Sequence, residues 1–593
     1  MLAAAAFATG ALIARDSPGR DAAERFAAAW QQEDYDAMYR ELTAAAASRF
    51  PLADFRDAYR RAARTATISA IETGEPQGPD STGGVDVVSV PVRITTNAFG
   101  EVNSSIELDL VGDRIEWDPR LVFPGLREGE RLERQTRAPT RAPILAADGT
   151  PLAEGQGVIR TSPIGIAAQN VVGEVGVADD EEAARLNRQG FPPGTLAGTS
   201  GLERAFNARL AGKPGGRLVG TGAGAPNVIA SAEPVPSKAV RTTIDPLLQS
   251  AAVNALGDQF GGIAVLDTRK GSVLALAGVA FSTLQPPGSV FKIVTVSAAL
   301  EGGHASPEDE YPFETSNTLV GREIRNADDA LCGGSLTQAF ASSCNTVFGP
   351  LGVEIGEGEL LDTAERFGFN AAPTLFNDDA AAVIEPPASV IPDPIGDSVA
   401  VGVSAIGQGN VQATPLQMAS VAQAIANDGV RLSTPIVRNP SLTADAAPVE
   451  ATSPEVARTV RDMMVEVVNS GTGGAAALST VQVAGKTGTA ELRPKQELTP
   501  EEQAELEQQQ PDPDDPDAEP PRPPQEEDAW FAAFAPADKP RIAVAVMIVN
   551  ADGGGGAIAA PIARDILATA LEPSSAPTTE PNQSPTPSPE VAG

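Results

Sequence analysis

Gln285-Pro286-Pro287-Gly288-Ser289-Val290-Phe291-Lys292 runs directly into the apolar segment from Ile293 to Leu300. Pro286, Pro287 and Gly288 interrupt any preceding regular structure, and the run closed by Gly302 and Gly303 has the length and composition of a buried helix. Ser289 then opens that helix. A spacing of three puts Ser289 and Lys292 on one face, a turn apart, with the amine in reach of the hydroxyl. That pairing suits a nucleophile and its base, because a serine hydroxyl attacks well only when a neighbour takes its proton. Backbone N–H groups at a helix start can also stabilise an oxyanion. The lysine must be neutral for this role. Moving its pKa from about 10.4 to near 7 takes roughly 4 to 5 kcal/mol of destabilisation of the ammonium, which an apolar wall and a second cation can provide. The helix supplies the wall, and the cation has to come from elsewhere in the chain.

Ser-x-x-Lys by itself occurs by chance in most long chains. Two further stretches follow it in order: Ser343-Cys344-Asn345, and Lys486-Thr487-Gly488-Thr489 near the start of a strand-like region. Together the three resemble the motif set of penicillin-binding proteins and serine β-lactamases, and the chain resembles a penicillin-binding protein, a D,D-transpeptidase of peptidoglycan synthesis. The resemblance implies a role for each matching residue. Ser289 is the acylated nucleophile, Lys292 its base and Lys486 the second cation. Ser343 relays a proton to the leaving D-Ala amine, and Asn345 orients Lys292 and the substrate amide. Thr487 and Thr489, on either side of Gly488, hold the terminal carboxylate of the donor, and the N–H groups of Ser289 and Thr489 form the oxyanion hole. Taken singly, Ser343 and Asn345 read equally as helix caps, and Lys486 as a solvated edge-strand lysine. Gly485-Lys486-Thr487 also looks like the end of a phosphate-binding loop, but that loop needs glycine where Thr480 stands, so the nucleotide reading fails on spacing.

A length of 593 residues fits three or four domains, each able to bury a core. The net charge of −35 argues against nucleic acid and anionic lipid as partners, since phosphate binding needs a basic surface. With His304 the only histidine and Cys332 and Cys344 the only cysteines, no histidine- or thiolate-rich metal site can be assembled, and no metal or cofactor is expected. A Ser-His-Asp triad would depend on His304, which stands in the loop-like Gly302-Gly303-His304. The apolar run Met1 to Ile13 spans about 20 Å as a helix, short of a bilayer core of roughly 30 Å, and no basic residue precedes it. Residues 1–18 read as the end of a signal anchor, with a soluble Ala-rich helix as the alternative.

Residues 19–125 form an α+β module: apolar spacing through Ala22, Phe26, Ala29, Trp30, Tyr35 and Tyr39 predicts helices, and Val85 to Ile94 and Ser104 to Leu110 predict strands. With its closing Trp117-Asp118-Pro119, this module resembles the NTF2-like domain of low-affinity, resistance-type penicillin-binding proteins. Glu33-Asp34-Tyr35-Asp36 reads as a solvated helix junction. In residues 129–236, Arg141 to Gly149 and Gly198-Thr199-Ser200-Gly201-Leu202-Glu203 resemble the pedestal, or dimerisation, domain of class B enzymes. A glycosyltransferase domain would bring a nearby histidine, and residues 1 to 303 contain none.

Residues 240–571 carry the transpeptidase-like pattern: a capped helix from Asp245, a hairpin of Ile263 to Leu266 and Val273 to Ala277, and a helix from Thr414-Pro415. The strands Trp530 to Phe534 and Ile542 to Val549 and the helix Ile558 to Leu571 follow. The expected fold is multidomain α+β, its catalytic unit an antiparallel sheet flanked by helices. Arg493 to Glu527 reads as a disordered acidic, Pro-rich insertion, and residues 572–593 as a disordered Ser/Thr/Pro tail. Family members often have His-Ala-Trp-Phe where this chain has Asp528-Ala529-Trp530-Phe531.

The resemblance thus implies an extracytoplasmic class B enzyme at the plasma membrane. It would be held by the N-terminal segment, act on peptidoglycan stem peptides, be blocked covalently by β-lactams at Ser289, and serve a cell-wall synthesis or division complex. A D,D-carboxypeptidase, or a β-lactam sensor or scaffold with the same fold, is the alternative. A class A lactamase keeps a water-activating Glu-x-x-Leu-Asn segment, and the look-alike Glu357-Gly358-Glu359-Leu360-Leu361 lacks the asparagine, so slow hydrolysis of the acyl-enzyme is expected. In an oxidising compartment Cys332 and Cys344 favour a disulfide over a metal site, with two buried thiols as the other reading.

Overall fold

The computed structural model describes residues 18–82, 85–377, 386–443, 446–491 and 527–572. The expectations for the N-terminal anchor, the acidic insertion and the tail fall almost wholly outside these residues. Among the described residues no helix is long and apolar enough to cross a membrane. The chain divides into two compact units: residues up to 144 with 151–162 and 172–240, and residues 145–150 with 163–171 and 241 onward.

In the first unit, helices Pro18–Gln31, Tyr35–Arg40, Ala44–Arg49 and Leu52–Ala66 precede a five-stranded antiparallel sheet. Its longest pair, Val85–Thr96 and Gly100–Val111, runs in register from Asp86 opposite Leu110 to Thr96 opposite Gly100. Val102, Ile106, Leu108 and Leu110 alternate inward, as a half-buried strand requires. The core is aromatic: Trp30, Tyr35, Phe55, Tyr59 and Trp117 pack ring against ring. Trp117 donates to the Tyr59 hydroxyl at 3.1 Å, tying the closing stretch to the helical layer. The junction at residues 33–36 is only half solvated. Asp34 caps the following helix through Ala37 N and Asp36 pairs with Arg56, but Tyr35 is buried against Tyr59. In the second part of this unit, strands Arg131–Arg137, Gly215–Thr221 and Asn227–Ala232 form an antiparallel sheet. Arg141 and Glu203, from the two pedestal-like stretches, meet in a buried ion pair at 2.5 Å, with Arg160 at 3.2 Å from the other carboxylate oxygen.

The second unit is built on a five-stranded antiparallel sheet in the order Val273–Gly278, Gly261–Asp267, Ile542–Ala551, Glu527–Ala535, Ala484–Glu491. Ala529, Phe531, Ala533 and Ala535 share a core with helices Pro246–Leu256 and Ala559–Leu571. Helix Pro415–Ala426, capped by Thr414, packs on the sheet as a second layer. With helices on both faces the strands read as continuous Ala/Val runs rather than alternating ones. Phe531 therefore sits in a core made mostly of small side chains, which lets the helices approach closely.

The Ala484–Glu491 and Glu527–Ala535 strands pair to their ends, with Glu491 opposite Glu527. Strand ends placed directly opposite each other need only a short turn between them. Replacing residues 492–526 by a four-residue Gly/Asn turn is therefore expected to shift the thermal midpoint by less than about 3 °C. A fall of more than about 10 °C, read by circular dichroism, would make the segment a structural part of the sheet.

Candidate active site

Ser289 lies in a 3-10 turn, Gly288–Phe291, that leads into the helix Lys292–Glu301, rather than in the first turn of the helix itself. The turn rests on the Lys486 strand. Gly288 has φ +52°, and a Cβ there would stand 2.6 Å from Thr489 O, while a Cβ at Gly488 would stand 2.7 Å from Pro287 O. Only glycine allows both approaches. Gly288 N donates to Gly407 O at 2.9 Å and Gln408 Nε2 to Thr489 O at 3.4 Å, so the loop of residues 406–409 clamps the turn from a further side.

The second motif is held by local chemistry. Helix Leu336–Ala341 starts at a capping box in which Ser335 and Gln338 each bond the other's backbone N–H. After that helix Ser343 takes φ +64°, a left-handed conformation that costs a non-glycine residue free energy and must be held by its surroundings. Cys344 N donates to Ala339 O at 2.9 Å, and a Cys332–Cys344 disulfide with Cα atoms 5.5 Å apart ties the motif to strand Cys332–Ser335. Asn345 opens helix Asn345–Ile355, and its amide donates to Arg325 O at 2.9 Å, which aims Oδ1 at Lys292.

Lys292 and Lys486 are both fully buried and meet at one hydroxyl. Lys486 Nζ lies 2.9 Å and Lys292 Nζ 3.4 Å from Ser343 Oγ. Lys292 also donates to Ser343 O at 2.7 Å and Asn345 Oδ1 at 2.8 Å. No hydrogen bond joins Lys292 to Ser289 among the described residues. A neutral amine has two N–H donors and one lone pair. The two carbonyl oxygens use both donors, leaving the lone pair for a hydroxyl proton. Burial holds the Lys292 amine well below the usual lysine range, and the charge of Lys486 pushes the same way. Burial brings Lys486 down to about 7. Because the repulsion is mutual, loss of the Lys292 proton lets Lys486 keep its own more easily. Phe348 and Phe340 each present a ring about 5.5 Å from one amine and form part of the apolar wall around the pair. Motif spacing does not reveal that these two rings flank the lysine pair.

Beyond Lys486 the strand carries Thr487, buried, and Thr489, half-buried. Thr487 Oγ1 lies 2.5 Å from Thr472 Oγ1, and Gly555 N donates to Thr489 Oγ1 at 3.4 Å. Asp528, opposite Ala490, is fully buried and accepts from Asn550 N at 3.2 Å. Burial raises its carboxyl to about 6. The acid thus fastens the Glu527–Ala535 strand to the bulge beside Ile542–Ala551, at a position where a histidine would have a different hydrogen-bonding pattern.

Lys486 titrates near 7 when folded and at 10.5 in its ordinary state, so between these values the unfolded chain binds a proton that the native state lacks. Native stability therefore rises with pH across that window. Relative to Lys486→Met, the wild type is expected to gain on the order of 3 kcal/mol between pH 7 and 10 in denaturant titrations; a flat difference would mean that the amine is not desolvated. Replacing both cysteines by serine is expected to cost roughly 3 kcal/mol and to slow acylation, since Ser343 loses a tether. Thermal melts and penicillin acylation rates, measured together, separate the two effects.

Comparison with known proteins agrees with this geometry. The family described as "Penicillin binding protein transpeptidase domain" matches residues 261–568, "Penicillin-binding Protein dimerisation domain" residues 154–242, and "NTF2-like N-terminal transpeptidase domain" residues 18–130. Peptidoglycan D,D-transpeptidase PbpA of Mycolicibacterium smegmatis is 33% identical over 397 residues, covering 57% of this chain and 73% of the relative. Penicillin-binding protein 3 of Bacillus subtilis aligns over 91% of this chain and 94% of its own length at 20% identity. The penicillin G acyl-enzyme complex of penicillin-binding protein A from M. tuberculosis superposes with a TM-score of 0.55 at 26% identity, covering 73% of this chain and 100% of that one. With all three domain types matched in order along one chain, and the three motifs gathered around one pair of buried lysines, the chain belongs to the class B penicillin-binding proteins with an NTF2-like N-terminal domain.

Proposed function

We propose that the chain is a serine D,D-transpeptidase that cross-links peptidoglycan stem peptides and is acylated by β-lactams at the same serine. What carries the reading is the Ser343 hydroxyl shared by two buried amines, since it offers a proton path that joins the lysine of the Ser289 motif to Lys486. Ser289 Oγ attacks the carbonyl of the penultimate D-Ala while Lys292 takes its proton, and the N–H groups of Ser289 and Thr489 receive the developing oxyanion. Ser343 hands a proton to the departing D-Ala amine and regains one from the lysine pair. An amine of a neighbouring stem peptide then attacks the ester, and the same relay runs in reverse. Thr487 and Thr489 receive the donor's terminal carboxylate, with the Lys486 charge behind them.

Slow hydrolysis follows from the lack of a free glutamate at the look-alike segment. Glu357 accepts from Ile395 N at 2.6 Å, and Glu359 lies 3.0 Å from His304 Nε2, so both are engaged in holding helix Glu357–Arg366. On this reading the catalytic unit works outside the plasma membrane, anchored through the N-terminal segment and serving a cell-wall synthesis or division complex. The Cys332–Cys344 disulfide fits an oxidising compartment.

Intact-mass measurement after exposure to penicillin is expected to show one adduct, absent in Ser289→Ala with its circular dichroism unchanged. Lys292→Arg keeps the charge but loses a titratable base, so its acylation is expected to fall by about three orders of magnitude. With a thioester donor, added D-amino acid or stem-peptide amine should divert product from hydrolysis to aminolysis. Exclusive hydrolysis would instead assign a carboxypeptidase, and an adduct on another serine would remove the reading.

A further inference from the structure

Thr472 belongs to none of the three motifs. It follows helix Pro454–Asn469, and its backbone N–H donates to Ala341 O at 3.1 Å. That carbonyl ends the helix leading to Ser343. The approach is close on two sides: a Cβ at Gly471 would stand 2.3 Å from Ala341 O, and one at Gly556 2.4 Å from Thr472 O. Thr472 is thus fixed in the fold although its side chain is exposed. Its hydroxyl makes the only hydrogen bond of the Thr487 hydroxyl among the described residues, at 2.5 Å.

A hydroxyl has one proton, and its direction decides what Thr487 presents to an anion. If Thr487 donated to Thr472, it would offer a carboxylate only lone pairs. The alternative acceptor for Thr472, Ala341 O, is 3.4 Å away and already takes the Thr472 N–H. With Ala341 O already engaged, the arrangement that leaves the Thr487 proton for a ligand is the one in which Thr472 donates across the short bond. We infer that Thr472 is a positioning residue of the donor-carboxylate subsite: it donates to Thr487 Oγ1 and so orients and polarises the Thr487 hydroxyl toward a carboxylate. Hydrogen bonds in such a row strengthen one another, most of all when the final acceptor is charged. The inference rests on the transpeptidase reading and adds to it a residue that selects for substrates with a free terminal carboxylate.

The test compares a D-alanyl thioester donor ending in a free carboxylate with the same donor capped as a carboxamide, on the full chain. In the wild type the carboxylate donor is expected to have the higher kcat/KM. Thr472→Val is expected to lower kcat/KM for that donor about tenfold, mainly through KM, with the carboxamide donor within about twofold of wild type. Thr472→Ser, which keeps the hydroxyl, is expected to restore the carboxylate donor. An equal fall for both donors, no rescue by Ser, or no change for the carboxylate donor would overturn the inference, as would a wild type indifferent to the two donors. A wild type that forms no acyl-enzyme with either donor or with penicillin would overturn the transpeptidase reading itself.

Discussion

Two amines buried at one hydroxyl cannot both remain protonated at low cost, and the catalytic unit is arranged around that constraint. Lys292 and Lys486 are both shut off from solvent, so burial, with the charge of Lys486 beside it, lowers the proton affinity of Lys292 well below the usual lysine range. A lysine in solvent has no such preference at neutral pH. The acceptors at Ser343 O and Asn345 Oδ1 match the two protons a neutral amine retains, and the Phe348 and Phe340 rings line the space that solvent would otherwise enter. The proton affinity of this pair is thus a packing property before it is a property of any motif. Admitting water to this pair would raise both proton affinities toward the ordinary lysine value.

The remaining architecture serves to bring positions 292, 343 and 486 together and keep them dry. The five-stranded sheet supplies Lys486 from an edge strand, and helices on both faces provide the wall. Closeness is obtained by deletion of side chains as much as by their presence. Gly288 and Gly488 let the serine turn lie on the strand, and the Ala/Val composition of the central strands lets helices come near. Ser343 is the costly point, held in a left-handed conformation by the capped helix before it and by the disulfide at the next residue. Strain at one residue is tolerated because several independent constraints act on its neighbours.

Much of this was legible along the chain wherever the determining interactions are local. Thr414-Pro415 and Asp245-Pro246 announce helices because the capping oxygen and the fixed φ of proline act within three residues, and both helices start there. The hairpin around Thr268 and the long strands at Val85 and Ser104 follow from their periodicity. Where local reading went astray, a tertiary partner had intervened. Tyr35 lies within a charged stretch yet packs on Tyr59, and the hydrogen-bond acceptors of Lys292 come from residues some fifty positions away.

The sequence by itself determined the order of modules, the three motifs that carry Ser289, Lys292 and Lys486, and, by residue inventory and spacing, the lack of a histidine- or thiolate-rich metal site and of a phosphate-binding loop at Lys486. These depend only on which side chains are present and how far apart they lie along the chain. The lowered proton affinity of those lysines, their meeting at Ser343 Oγ, the placing of Phe340 and Phe348, and the contact of Thr472 with Thr487 were decided by the tertiary structure alone. Each depends on the absence of water and on distances between residues that the chain separates by many positions. No local propensity encodes either quantity, because both arise only when the sheet and its helices close around the site.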